Sequence, residues 1–202
     1  MPHVAIDSTT GRLAIAAGVT GLAADAAFFV FAAGVEPFGP INDIGIAVSG
    51  ALAGAVAWRL REHAGGPATA LAIGGAATVV AGSSLVVSGT TGWLLAGFVG
   101  AAGYGLFGPS VALASRGLGR EGRVPRRLSR FGEVVGWAMT LGLAAFAPVV
   151  MRVDDAATAP GWTWLTFTGE AAALVLYPIW AIWLGRLAGR PVAAALGEAS
   201  GT

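Results

Sequence analysis

Two acidic residues stand inside long apolar stretches, and they are the side chains most able to do chemistry in this chain. Asp25 lies within residues 13–34, and Glu170 lies within residues 162–184. A carboxylate in the interior of a bilayer costs on the order of a few kcal/mol, so such residues are rare and mark sites or structural networks. If both stretches are membrane helices, Asp25 lies ~18 Å from the inner end of its helix and Glu170 ~12 Å from the outer end of its own. The two carboxylates therefore share a similar depth in the outer half of the membrane.

Three further polar residues are predicted to lie toward the same outer side. Asp43 and Arg152 stand near the outer ends of the second and fifth apolar stretches, and Tyr104 stands near the middle of the fourth. Together with Asp25 and Glu170 they could line an outward-facing polar pocket, with Tyr104 donating a hydrogen bond. One interpretation is a substrate or proton site at Asp25 and Glu170. The simpler interpretation is a structural network, in which Asp25 bonds a neighbouring helix and Glu170 pairs with Arg152.

The residue types that are missing exclude several kinds of site. The chain has no Cys, and all 12 of its basic residues are Arg. Thiolate catalysis, Cys-ligated metals, Lys Schiff bases and a P-loop Lys are therefore excluded. Neither His3 nor His63 lies in an apolar stretch, so a bis-His haem within a bundle is excluded and Ser83, Ser84 and Ser110 have no His to activate them. The sequence predicts no enzyme, no metal and no cofactor.

The composition predicts a membrane protein rather than a soluble domain. Charged residues make up only 11% of the 202 residues and hydrophobic residues 55%, whereas a soluble domain carries roughly 25% charged residues. A bilayer core about 30 Å thick needs roughly 20 apolar residues of helix. Six stretches qualify, and we expect one all-α domain over residues 1–202 with helices at about 13–34, 41–58, 68–89, 92–115, 131–151 and 162–184. The first stretch could instead be a cleaved signal, but its length and Asp25 favour a retained helix.

The arginines predict how the chain is threaded. With six crossings, eleven of the twelve fall on one side of the membrane, and only Arg152 falls on the other. Basic residues concentrate in cytoplasmic loops. We therefore expect a bacterial plasma-membrane protein with both termini in the cytoplasm. The eleven are Arg12, Arg59, Arg61, Arg116, Arg120, Arg123, Arg126, Arg127, Arg130, Arg186 and Arg190.

The segment between the fourth and fifth stretches is the most basic part of the chain. Its first role is topological, and contact with lipid headgroups follows from the attraction of Arg to an anionic leaflet. The candidates for that contact are Arg120, Arg123, Arg126, Arg127 and Arg130. Nucleic acid is not an expected partner, because the segment is short and lacks interleaved aromatic residues.

Small residues recur at four-residue spacing and predict close helix packing. Examples are Ala17, Gly21 and Asp25 in the first helix; Gly50 and Gly54 in the second; Gly74, Thr78 and Gly82 in the third; and Gly97, Ala101 and Gly105 in the fourth. Such faces let neighbouring backbones approach within a membrane. Packing within the chain is the main expectation, and a homodimer is the alternative. The Trp residues are expected at the two interfaces, with Trp58, Trp180 and Trp183 on the inner side.

Three segments of the chain are similar to a known group of proteins. They are residues 37–43 (PFGPIND), residues 123–130 (RVPRRLSR) and residues 176–186 (LYPIWAIWLGR). Together they resemble six-helix integral membrane proteins of high-GC bacteria. The resemblance spans most of the chain and implies the architecture, but that group has no assigned activity and lends no catalytic residue.

Two kinds of function remain after these exclusions. The expectation from the sequence is a membrane protein of structural, regulatory or lipid-interacting type. The alternative is a small secondary transporter or proton-coupled carrier with an outward-facing site at Asp25 and Glu170. The carrier predicts an outward cavity that reaches Asp25 and Glu170, and loss of transport when either is neutralised. A dry, closed bundle with both carboxylates bonded to backbone would argue against it.

Overall fold

A computed structural model describes residues 6–188, and within them it confirms the all-α bundle. Six helices are long and apolar enough to cross a membrane, and the described residues contain no strand. The protein is therefore a multi-pass membrane protein. We label the spans α1 (Ser8–Ala32), α2 (Phe38–Arg59), α3 (Gly66–Val87), α4 (Trp93–Arg120), α5 (Arg126–Val150) and α6 (Gly161–Leu187).

The largest difference from the expected boundaries concerns the basic segment before α5. The sequence predicts a loop up to residue 130, but α4 continues to Arg120 and α5 already begins at Arg126, directly after Pro125. The reason is that Arg is a good helix former and its long side chain carries the charge away from the apolar surface. Most of the basic segment therefore consists of two helix ends joined by a short turn.

The helices form an antiparallel bundle in which chain neighbours pack side by side. α1 packs on α2, α2 on α3, α3 on α4 and α4 on α5, and the second half of α6 (Tyr177–Leu187) returns to α1. α4 has the largest buried share of the six and lies at the centre. The two ends of the bundle differ. We call the end that holds Ser8, Arg59, Arg120 and Leu187 the Arg-rich face, and the other end the opposite face.

Backbones approach most closely where glycines meet, as between α3 and α4. A Cβ built on Gly103 would lie 2.6 Å from the Gly75 carbonyl oxygen, whereas a Cβ built on Gly74 or Gly97 would meet nothing within 4 Å. The predictions that Gly74 of the third helix and Gly97 of the fourth face a neighbouring helix are therefore wrong, and Gly75 makes the contact in place of Gly74. The described contacts account for Gly75 and Gly82 within the chain, and the homodimer stays a prediction.

Two spans contain a break in regular α-helix on the opposite-face side. α5 tightens into a 3₁₀ segment at Leu141–Ala145, and α6 widens into a π segment at Ala172–Leu176. A proline follows each break, Pro148 in α5 and Pro178 in α6. Proline lacks a backbone donor and crowds the carbonyl four residues before it, so the preceding turn must change its hydrogen bonding.

One predicted interfacial Trp lies elsewhere. Trp180 is only 2% exposed and belongs to the apolar core, with its ring 5.7 Å from that of Tyr177. The prediction placed it by chain position alone, but its side of α6 faces the centre of the bundle. Trp58, in contrast, is 56% exposed beside Arg61 at the Arg-rich face, as an interfacial Trp should be.

Asp7 ties the start of α1 to the end of α2 on the Arg-rich face. Its carboxylate accepts the Thr10 backbone N–H at 3.0 Å, which caps the helix, and pairs with Arg59 at 3.0 Å. The hydrogen bond from the Thr10 hydroxyl is the main reason that the pKa of Asp7 is lowered, and Arg59 adds to it, against an opposing effect of partial burial. The charged form of Asp7 therefore stabilises the fold.

We expect Asp7→Ala to lower stability by roughly 0.5–1 kcal/mol at neutral pH, since the cap is lost and half of the side chain is exposed to solvent. Because the pKa of Asp7 is lowered in the folded protein, its contribution is complete above its ordinary value of 3.8 and disappears as pH falls below that value. Thermal unfolding in detergent at neutral and acidic pH measures this. Ser8→Ala is the matched control, and an equal effect of Asp7→Ala at both pH values would contradict the assignment.

Candidate functional site

The packing of α1 on α6 brings Asp25 toward Glu170. A Cβ built on Gly18 would lie 2.6 Å from the Pro178 carbonyl oxygen, and one built on Gly21 would lie 3.3 Å from the Pro178 ring. Asp25 stands one turn beyond Gly21 on the same side of α1. Since the two helices run antiparallel, this turn of α1 meets the turns of α6 that precede Pro178. The small residues next to Asp25 thus permit the close approach that places it near α6.

Backbone contacts place Asp25, Tyr104 and Glu170 at similar levels of α1, α4 and α6. Gly21 of α1 meets Pro178 of α6, Gly169 of α6 meets Gly142 of α5, and Gly142 meets Ala101 of α4. Tyr177 lies two turns after Glu170, with its ring 5.4 Å from that of Phe107 in α4. We call Asp25, Tyr104, Glu170 and Tyr177 the carboxylate cluster. It joins α1, α4 and α6 in the half of the bundle nearer the opposite face.

Glu170 is positioned by a meeting of three helices. The residue before it, Gly169, packs directly on the Gly142 backbone in α5, and a Cβ on Gly142 would lie 2.5 Å from the Ala101 carbonyl oxygen in α4. Gly105 of α4 contacts the same stretch of α5 at Leu143. With no side chains between the backbones, α6 has little freedom to rotate at this level. The backbone beside Glu170 is therefore held in place.

Neither carboxylate has a partner among residues 6–188. No ion pair or hydrogen bond involves Asp25 or Glu170 there, and Asp25 Oδ2 is buried without a hydrogen-bond partner. The expected pair between Glu170 and Arg152 is wrong. α5 ends at Val150, and Arg152 is an exposed residue of the following loop with a left-handed φ of 54°. The ion pairs in the described part of the chain all belong to the Arg-rich face.

Asp43 also stands apart from the cluster. It lies in the second turn of α2, and the contact that the structure gives its carboxylate is a hydrogen bond from the neighbouring Asn42 amide at 3.2 Å. Gly45 of α2 packs on Ala24 of α1, so Asp43 stands at nearly the same depth as Asp25, but no hydrogen bond or ion pair within residues 6–188 joins the two carboxylates. Of the five predicted site residues, Asp25, Tyr104 and Glu170 stand at similar levels of three spans, but no hydrogen bond or ion pair within residues 6–188 joins them. The hydrogen bond expected from Tyr104 is therefore not formed, and Arg152 lies in the loop after α5.

Two buried hydroxyls without a partner lie on α6, on either side of Glu170. Among residues 6–188, the buried side-chain oxygens that lack a hydrogen-bond partner are Asp25 Oδ2, Thr91 Oγ1, Ser115 Oγ, Thr166 Oγ1 and Tyr177 Oη. Thr166 is fully buried one turn before Glu170, and Tyr177 is 1% exposed. Sequence reasoning missed both, and the only signal was that their types are polar within an apolar span. An unsatisfied buried hydroxyl costs about 1–3 kcal/mol, so the two on α6 call for an explanation.

The cluster lies where α6 changes its packing partners. Before the π segment, Trp164–Ala171 packs on α4 and α5, and after it Tyr177–Leu187 packs on α1. α1 and the first half of α6 therefore separate toward the opposite face. Single π turns within α-helices are frequent at functional sites. Glu170 and Asp25, which are both partly exposed, stand where this separation begins.

The predicted headgroup contacts lie at the Arg-rich face. Arg120, Arg126, Arg127 and Arg130 are exposed and form no ion pair within the described residues, whereas Arg123 is partly buried and binds Glu121 at 2.7 Å. Four of the five candidates thus project a positive charge from the ends of α4 and α5.

No group of three or more His, Cys, Asp or Glu side chains in residues 6–188 could hold a metal ion. The cluster has two carboxylates and hydroxyls instead, which can take up protons or accept hydrogen bonds. Comparison with known proteins adds no further site: no family model matches this chain, and neither a curated protein nor a solved structure is similar to it.

Proposed function

We propose that the protein is a small proton-coupled carrier whose proton site is formed by Asp25 and Glu170. The observation that carries the proposal is that both carboxylates lie within membrane spans without an ion pair or hydrogen bond in the described part of the chain. A structural network would satisfy such groups, because an unpaired buried charge costs several kcal/mol. A carboxylate that takes up and releases a proton or a substrate, in contrast, must have no permanent partner within the protein.

The charge balance of the spans supports the same conclusion. The chain has no Lys. In the half of the bundle that holds the cluster, none of the six spans carries an Arg. Only a proton or a cation from outside can therefore neutralise Asp25 and Glu170. Intramembrane Asp and Glu residues of this kind are typical of proton relays and ion pathways.

The proposed setting is the bacterial plasma membrane with the Arg-rich face in the cytoplasm. The exposed Arg120, Arg126, Arg127 and Arg130 would then contact anionic headgroups, at about 1 kcal/mol for each Arg near the surface. The carboxylate cluster would lie nearer the outer side, where α1 and α6 separate.

Infrared difference spectra between acidic and alkaline buffer test the proposal on the protein in lipid nanodiscs. We expect two protonated-carboxyl bands that change with pH, one lost in Asp25→Asn and the other in Glu170→Gln. The matched control is Asp43→Asn, which removes an acid of similar depth that lies outside the cluster and should leave both bands. If neither band changes with pH, or if the variants leave the spectra unaltered, the carboxylates do not exchange protons and the carrier proposal fails.

A further inference from the structure

We propose that a groove at the Arg-rich face binds one phospholipid with a phosphoethanolamine headgroup, whose phosphate contacts Arg61 and whose ammonium group contacts Glu62. The groove lies where α2 ends and α3 begins, and its volume is about 490 Å³, within the range of small-molecule sites at about 300–1,000 Å³. Its lining includes Trp58, Arg61, Glu62, Thr69, Ala70 and Ile73. Because the groove is separate from the carboxylate cluster, this lipid site does not depend on the proposed carrier function.

The groove changes from charged to apolar along the start of α3. Arg61 and Glu62 stand in the helical turn before α3, at the Arg-rich face, whereas Ile73 lies ~10 Å further along the helix axis than the first residue of α3. Ile73 is 41% exposed, and the Thr69 hydroxyl already donates to the Gly65 carbonyl oxygen at 3.0 Å. A phospholipid has the same change of polarity along its length, so its headgroup and acyl chain match the two halves of the groove. A soluble polar ligand matches only the charged half.

Two opposite charges line the charged half without pairing with each other. Arg61 and Glu62 are both exposed, and neither takes part in an ion pair within residues 6–188. A phosphoethanolamine headgroup can satisfy both at once, since its phosphate accepts hydrogen bonds from a guanidinium and its ammonium group donates to a carboxylate. A purely anionic headgroup would be repelled by Glu62. A choline headgroup has no N–H with which to donate to that carboxylate.

The Arg61 side chain is held in place by contacts within the protein. Its guanidinium carbon lies 4.9 Å from the centroid of the Trp58 ring, and its Nη1 donates to the Trp58 carbonyl oxygen at 3.1 Å. A guanidinium has five N–H donors in one plane, so other donors are left for phosphate oxygens. Since these contacts already restrict the side chain, a phosphate that binds it has less conformational entropy to overcome.

Native mass spectrometry of the delipidated protein in detergent, titrated with dioleoyl lipids, tests this site. We expect one phosphatidylethanolamine to bind with an affinity at least about tenfold above that of phosphatidylcholine or phosphatidylglycerol. Glu62→Gln should abolish the preference over phosphatidylcholine, and Arg61→Gln should lower the affinity for phosphatidylethanolamine at least about tenfold. The matched controls are Arg12→Gln and Glu36→Gln, which remove exposed charges outside the groove and should bind lipid as the wild type does.

The comparison of lipids on the wild-type protein needs no variant, so it remains decisive even if a variant folds poorly. Equal affinity for the three lipids, tighter binding of phosphatidylglycerol, or an unaltered preference in Glu62→Gln would refute the phosphoethanolamine site. Glycerophosphoethanolamine carries the same headgroup without acyl chains, and we expect it to bind at least about tenfold more weakly than the lipid. If it binds as tightly, the ligand is a soluble phosphate ester and the lipid assignment is overturned.

Discussion

Gly75→Ala will destabilise the protein by about 2 kcal/mol or more, whereas Gly74→Ala will stabilise it by up to about 1 kcal/mol. A Cβ on Gly75 would collide with the Gly103 carbonyl oxygen and would lie 3.1 Å from the Phe107 backbone nitrogen. Backbone atoms at the centre of the bundle cannot move aside without separating α3 from α4. Gly74 has open space, so there the added methyl group only restricts the unfolded chain and favours helix.

Thermal unfolding in detergent measures both effects, and far-ultraviolet circular dichroism shows whether the helices form. The pair is well matched, because the two residues are neighbours on one helix and receive the same change. A loss of stability at Gly74 equal to that at Gly75 would mean that α3 is rotated relative to its place in the structure. The prediction from the spacing of small residues, in which Gly74 faces a neighbouring helix, would then be correct.

The glycine pair shows what can be predicted about this fold and what cannot. Hydropathy determines the number of helices because a bilayer of known thickness requires spans of about 20 apolar residues. It does not determine the rotation of each helix, since Gly74 and Gly75 are equally small and all sides of α3 are apolar. The rotation follows from which backbone fits against which, and that depends on residues far apart in the chain.

The same distinction applies to the candidate site: its acids can be predicted from the sequence, but its contacts cannot. Asp25 and Glu170 can be found from the sequence because each is an acid within an apolar span. The position of Arg152 depends on where α5 ends, and a loop residue two positions after that end cannot reach Glu170 in the structure. The absence of a partner for Tyr177 Oη follows from the packing of α1, α4 and α6, which no local pattern encodes.

The unpartnered hydroxyls connect stability to function, because a group kept for a ligand costs stability when the ligand is absent. Thr166 and Thr163 allow a direct comparison at the start of α6. Both are buried, at 0% and 5% exposure, but Thr163 Oγ1 donates to the Pro160 carbonyl oxygen at 2.8 Å and Thr166 Oγ1 has no partner. Valine keeps the shape of threonine and removes only the hydroxyl. The same substitution should therefore have opposite effects at the two positions.

We expect Thr166→Val to raise stability by about 1 kcal/mol, because it removes a buried hydroxyl that has no partner within residues 6–188. Thr163→Val should lower stability by about 1 kcal/mol, because its hydroxyl already has a protein partner. Thermal unfolding of the two variants in detergent, beside the wild type, provides both numbers. A destabilising Thr166→Val would mean that a partner satisfies this oxygen, and Thr166 would then have no polar group free for a ligand.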